Sequence, residues 1–152
     1  MRLHLVAVGR LKSGPHQALA QHYAERLTPP PTIREVEEKR PLPPSELKLR
    51  EGALLLAAVP AGATLVALDE RGKQFASEAF ARRLAAWRDS GVADLAFLIG
   101  GAEGLADGVR QKAELVLSLG AMTWPHLLVR GMLLEQLYRA QQILAGHPYH
   151  RG

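Results

Sequence analysis

The sequence predicts a single α/β domain over residues 1–152, a parallel-type sheet flanked by helices. Three observations point there. Short apolar segments alternate with segments whose apolar residues recur every three or four positions. The apolar segments are continuous, as in strands buried on both faces, rather than alternating with polar residues. Proline or glycine stands at most of the boundaries between them. A length of 152 residues suits one domain with a proper core.

Each element follows from local pattern. Leu3, Leu5, Val6 and Val8, stopped by Gly9, read as a buried strand. Pro15 opens a helix whose Leu19, Tyr23 and Leu27 recur four apart, and Pro29, Pro30 and Pro31 end it. Residues 32–37 form a short strand. Pro41, Pro43 and Pro44 mark a loop, after which Ser45 caps a helix carrying Leu47, Leu54, Leu55 and Ala58. Residues 64–68 (TLVAL) are the next strand. Ser77 caps a helix with Phe80, Leu84 and Trp87 on one face. Residues 95–99 (LAFLI) run directly into Gly100 and Gly101. A short helix starts at Asp107 with Val109, Ala113 and Val116 as its apolar positions, and residues 116–119 give a fourth buried strand. Pro125 opens the longest helix, expected from His126 to Ala145 and terminated by Gly146.

Composition narrows the function classes. The chain is 47% hydrophobic and 22% charged, which excludes a disordered chain. It has no cysteine, which excludes disulfides and thiolate metal sites and fits a reducing compartment. The apolar run at the start is cut by Gly9, Arg10 and Lys12, too early for a signal sequence or a membrane span. A soluble, cytoplasmic protein with no membrane partner is therefore expected. Lys and Arg total 19 against 15 Asp and Glu, a net charge of +4 that favours anionic partners such as nucleic acid.

Ligands of open α/β sheets bind beyond the carboxyl ends of strands. Three such ends stand out: residues 68–73 (LDERGK), 99–105 (IGGAEGL) and 117–126 (LSLGAMTWPH). The glycines read GGxxG, which is neither a dinucleotide fingerprint nor a phosphate-binding P-loop. Glycine there lets a ligand approach the backbone closely. Asp69 and Glu70 read as solvated charges of a turn. His126, His147 and His150 lack metal-ligand spacing and acidic companions, so no metal is expected. Glu135 and Arg139, four apart with the acid first, form a helix ion pair. The longest helix is apolar over most of its circumference, which places it in the core or, the favoured reading, at a twofold interface.

The segments LHLVAVGRLK, LDERGKQFASEAFA, FLIGGAEGL, LSLGAMTWPHLLVRGMLLEQLYRAQQI and PYH together resemble the ribosomal RNA large subunit methyltransferase H family, the YbeA-type members of the SPOUT superfamily. The likeness runs from Met1 to His150. It implies a deep trefoil knot in the C-terminal part, which rules of chain connection would never propose. It also implies a homodimer that transfers a methyl group from S-adenosyl-L-methionine to N3 of pseudouridine 1915 in helix 69 of 23S rRNA, on the assembled 70S ribosome. The cofactor-binding positions it carries over are Leu68, Gly100, Gly101, Leu119, Gly120, Ala121, Met122, Thr123 and Trp124. Gly120 and Ala121 stand where many relatives carry Ser and often Lys, so backbone contacts are what the likeness assigns them. RNA contacts fall to Arg139, Tyr149, His150 and Arg151, with Tyr149 suited to stacking on an unpaired base. The N3 proton must leave before or during attack. His150 is the first candidate base and Glu135 the second. Two rivals share these residues: a SPOUT methyltransferase acting on another RNA such as tRNA, and a ribosome-binding protein without catalysis.

Overall fold

The computed structural model describes residues 1–151. Five strands and five helices alternate: β1 (Arg2–Val8), α1 (Pro15–Ala24), β2 (Thr32–Val36), α2 (Pro44–Ala58), β3 (Thr64–Gln74), α3 (Ser77–Asp89), β4 (Asp94–Ile99), α4 (Asp107–Lys112), β5 (Leu115–Ser118) and α5 (His126–Leu144). The sheet order is β2-β1-β4-β3-β5 and every pairing is parallel. The expected fold class is therefore the observed one. Helices α1, α3 and α5 pack together on one face, while α2 and α4 cover the other.

The continuous apolar strands are explained by this double cover. In β1, Leu5 and Ala7 enter the core beneath α1, α3 and α5, while Val6 and Val8 enter the core beneath α2 and α4. Strand β4 does the same with Leu95, Phe97 and Ile99 on one side and Leu98 on the other. Strand β2 departs from the pattern. Its residues TIREV are largely exposed, and its charges blunt the sheet edge.

Several boundaries move, each for a local reason. Helix α1 stops at Ala24 rather than near Leu27, because a turn closed by the Leu27 amide on the Ala24 carbonyl drops Leu27 into the core. Neither expected serine cap forms. Helix α2 begins at Pro44, whose ring presets the first turn, and Ser45 lies inside that turn. Ser77 is already helical and donates its hydroxyl to Gln136 Oε1 of α5 at 2.7 Å. Val116 belongs to β5, which ends at Ser118 and leaves Leu119 in the following loop. The long helix ends at Leu144, one residue early, with Gly146 at φ 73° beyond it.

Helix α5 lies in the core on one face. Leu133, Leu134, Leu137 and Ala140 are buried against the sheet and its neighbouring helices. Leu127, Leu128 and Met132 remain partly exposed on its other side. Its first turns also bury Arg130, only 1% exposed. The guanidinium donates through Nη2 to the carbonyl oxygens of Val8 (3.0 Å) and Gly9 (2.6 Å), and through Nη1 to Glu35 Oε2 (2.5 Å). That same Glu35 oxygen accepts the Leu11 amide at 2.7 Å.

Strand β3 is longer than its apolar core. Residues 69–72 loop out, after which Lys73 and Gln74 resume pairing, so that Leu117 of β5 is matched by both Leu68 and Lys73. An added Cβ on Gly72 would lie 2.5 Å from the Val116 carbonyl oxygen, so the loop presses directly on β5.

Replacing Arg130 with Met should destabilise the fold by about 2–4 kcal/mol, since it strands a carboxylate and two carbonyls. Urea unfolding measures this, and an unchanged midpoint would refute the role given to the guanidinium. Burial alone would raise the Glu35 carboxyl, but the Leu11 amide and Arg130 hold it below its usual range. Its contribution is present above the ordinary carboxylate pKa and lost as pH falls through the depressed one. Glu35→Gln should therefore show a shallower loss of stability than the wild type below about pH 5.

Candidate functional site

The three strand ends converge. Beyond β3, β4 and β5 lies a cavity of about 730 Å³. From the first end come Leu68, Asp69, Glu70 and Arg71, from the second Gly100 and Gly101 with the turn after them, and from the third Leu119, Gly120, Met122, Thr123 and Trp124. Of the nine positions singled out for the cofactor, Ala121 alone is not on the wall. Lys48 from α2, Glu103, His126 and Val129 also line the cavity. Lys48 carried no sequence signal, because it arrives from a helix over the far face of the sheet.

The glycine pair is shaped by its own turn. A Cβ on Gly100 would lie 2.7 Å from the backbone carbon and oxygen of Gly104, so the chain after β4 doubles back tightly. A bridge between Gly101 and Gly104 closes this turn, and the amide of Gly104 donates to the carbonyl of Gly101 at 3.0 Å. Glycine at position 100 thus serves backbone packing first, and Gly100, Gly101 and Gly104 bring bare main chain to the cavity wall.

The loop between β5 and α5 is pinned at both ends. Gly120 has φ 127°, a conformation glycine adopts freely and side chains rarely do. The Ser118 hydroxyl accepts its amide at 3.1 Å and lies within donating distance of the carbonyls of Gly120 (2.9 Å) and Glu70 (3.0 Å). Thr123 donates to Glu70 Oε2 at 2.7 Å. Met122, between these pins, is 73% exposed, and Trp124, just beyond them, 40%.

Asp69 is not the solvated charge expected of it. Its side chain is nearly enclosed, with Oδ1 accepting the Arg71 amide (2.9 Å) and Nε (3.1 Å) and Oδ2 accepting Arg110 Nη1 (3.0 Å). Burial would raise this carboxyl, but the two guanidiniums hold it at about 2. His126 starts α5 half-buried on the cavity wall, and burial together with the Arg130 charge lowers its pKa. Among the described residues no group of acidic and histidine side chains is arranged to hold a metal.

The residues singled out for RNA and for proton transfer form a second cluster. The tail folds back on α5, where Arg139 and Glu135 pair at 2.6 Å as their spacing predicts. The Arg139 guanidinium lies over the Tyr149 ring at 4.9 Å, and that ring meets Tyr138 edge-on at 4.8 Å. Tyr149 donates its hydroxyl to Glu135 Oε1 at 3.3 Å. Burial, with the Tyr23 hydroxyl beside it, raises the phenol to about 12, so it stays protonated. Arg139 Nη1 lies 3.0 Å from His150 Nδ1, which accepts from it, and His150 Nε2 faces Glu78 at 3.5 Å. Arg151 is exposed, its Nε donating to the Pro148 carbonyl at 3.2 Å.

None of these tail residues, nor Glu135, lines the large cavity. Glu135 instead borders a second hollow of about 420 Å³ on the α1, α3 and α5 face. Leu117, Leu119 and Gly120 belong to both and form the partition between them.

Comparison with known proteins gives this architecture a family. The model of a family described as predicted SPOUT methyltransferases matches residues 1–150. The ribosomal RNA large subunit methyltransferase H of Rhodospirillum centenum is 64% identical over 152 residues, all of both chains. Among solved structures, a probable methylase family protein from Haemophilus influenzae superposes with a TM-score of 0.58 at 12% identity, covering 99% of this chain and 70% of that one. The SpoU methyltransferase AviRb of Streptomyces viridochromogenes, in complex with AdoMet, gives 0.50 at 16% identity, with 93% and 58% covered. The shared SPOUT fold implies a trefoil knot in the C-terminal part of the chain. The full-length match settles membership: this chain belongs to the ribosomal RNA large subunit methyltransferase H family of SPOUT methyltransferases.

Proposed function

We propose that this chain transfers a methyl group from S-adenosyl-L-methionine to 23S rRNA, at N3 of pseudouridine 1915 in helix 69 of the assembled 70S ribosome, working as a homodimer. The observation that carries the reading is the cavity at the three strand ends. Its volume of about 730 Å³ falls in the range of small-molecule sites. Leu68, Leu117 and Leu119 offer apolar walls for an adenine, and the 100–104 turn offers backbone with no side chain at three positions. The AdoMet held by the AviRb structure supports the same choice of ligand.

When bound, S-adenosyl-L-methionine supplies an electrophilic methyl on a sulfonium centre. The chain's own part is to fix that centre. Ser118, Thr123 and Glu70 hold the loop after β5 in one bent shape, which favours a single donor geometry. Nitrogen N3 attacks the methyl, and its proton passes to a base. Glu135 and His150 are the groups assigned to that proton. Arg139 orients both, through Glu135 Oε1 and His150 Nδ1.

The partition formed by Leu117, Leu119 and Gly120 separates this cluster from the cavity of its own chain. Two copies resolve the separation if the tail of one serves the cavity of the other. The partly exposed side of α5, with Leu127, Leu128 and Met132, and the exposed Met122 and Trp124 supply apolar surface for that contact. Tyr149 then meets an unpaired loop base, and Arg139 and Arg151 meet phosphates.

Incubation with labelled S-adenosyl-L-methionine should place label in the 23S rRNA of 70S ribosomes lacking the modification. Label in tRNA instead would move the substrate and keep the cavity. Absence of label together with no donor binding would leave only a non-catalytic ribosome binder. Deleting residues 148–152 should cut methylation at least 100-fold, on the scale of a lost base, while leaving donor affinity within about twofold. Loss of both would place the tail in the donor site. Light scattering at micromolar protein should report twice the 16.6 kDa chain mass; an active monomer would overturn the dimer.

A further inference from the structure

Glu51 on α2 is 7% exposed. Its Oε1 atom is sealed from solvent and, among the described residues, has no hydrogen-bond partner. A Cβ placed on Gly101 would lie 3.1 Å from Glu51 Oε2 and 3.3 Å from Oε1. The carboxyl therefore rests against Gly101, a residue of the cavity wall, while Glu51 itself is not on that wall. An unpartnered buried carboxyl is unfavourable, and an apolar or amide side chain would fill the same space at less cost.

The surrounding charges do not compensate it. Burial raises the Glu51 carboxyl above its ordinary range, and the charge of Glu103 raises it further. Lys48, three residues earlier on α2, lines the cavity without bonding to it. Across the cavity, Asp69 is already neutralised by Arg71 and Arg110, and Glu70 is engaged by Thr123. Glu103 on the cavity wall and Glu51 against Gly101 thus set two carboxyls beside the glycine turn.

We infer that Glu51 is a specificity-determining residue of the donor pocket, a carboxylate held behind Gly101 as counter-charge to a cationic ligand. It rests on the donor reading above. The sulfonium of S-adenosyl-L-methionine carries a positive charge that the thioether product, S-adenosylhomocysteine, has lost. Methyl transfer removes the charge that Glu51 attracts, so the counter-charge favours donor entry and product exit. Low local dielectric strengthens the attraction compared with the same pair in water.

Calorimetric titration of the full chain with each compound tests this. Glu51→Gln keeps the shape and removes the charge. It should weaken S-adenosyl-L-methionine about tenfold and leave S-adenosylhomocysteine within about twofold. An unchanged ratio between the two, whether both weaken or neither does, overturns the proposal. If the wild type binds neither compound, the donor reading itself fails. A second measurement needs no variant. Titrations of the wild type from the ordinary carboxylate range upward in pH, in buffers of different ionisation enthalpy, should show protons released on binding S-adenosyl-L-methionine and not S-adenosylhomocysteine. Equal release, or none with either, overturns the proposal.

Discussion

One buried guanidinium locates the parts of the molecule relative to each other. Arg130 reaches from the second turn of α5 to the carbonyls that end β1 and to Glu35 on the edge strand. Apolar contacts alone tolerate sliding of a helix along a sheet, whereas three directed hydrogen bonds do not. Because the loop of residues 119–125 joins β5 directly to α5, the anchor that registers the helix also registers one wall of the cavity. A buried ion pair is a poor source of net stability, and position is what this one supplies.

Most of the fold was legible because the sheet is covered twice. Continuous apolar runs in β1, β3 and β4 have one physical explanation in a chain with interspersed helical periods, and the parallel sheet follows from it. Failures came where a tertiary partner outbid a local preference. Ser77 reads as a cap, but Gln136 of α5, distant in sequence, takes its hydroxyl. The period through Leu19, Tyr23 and Leu27 reads as one helix, but the core needs Leu27 a turn further on. The exposed charges of β2 follow from its place at the sheet edge, which strand order alone reveals.

The candidate site was legible in the same uneven way. Its three strand ends were visible as glycine-rich or charged breaks after apolar runs, and eight of the nine positions carried over from the family resemblance reach the cavity. The state of Asp69 was not visible, since the Arg110 that neutralises it lies 41 residues away. Neither was Glu51, whose meaning depends on a glycine 50 residues later in the chain. The packing of the tail on Tyr138 and Arg139 was not visible either. Local pattern marks where backbone is special, and only the fold shows which charges face each other.

The double pairing of Leu117 bears on how the molecule is made. Synthesis delivers β1 to β4 with their helices first, while β3 waits with an open edge. The partition between the two hollows, the pinned loop and Arg130 all lie in the final 38 residues after Glu114. A chain that lacks this stretch therefore has neither the partition nor the Arg130 anchor. The wall of the cavity and the lock onto β1 therefore take shape together, as α5 docks on the sheet.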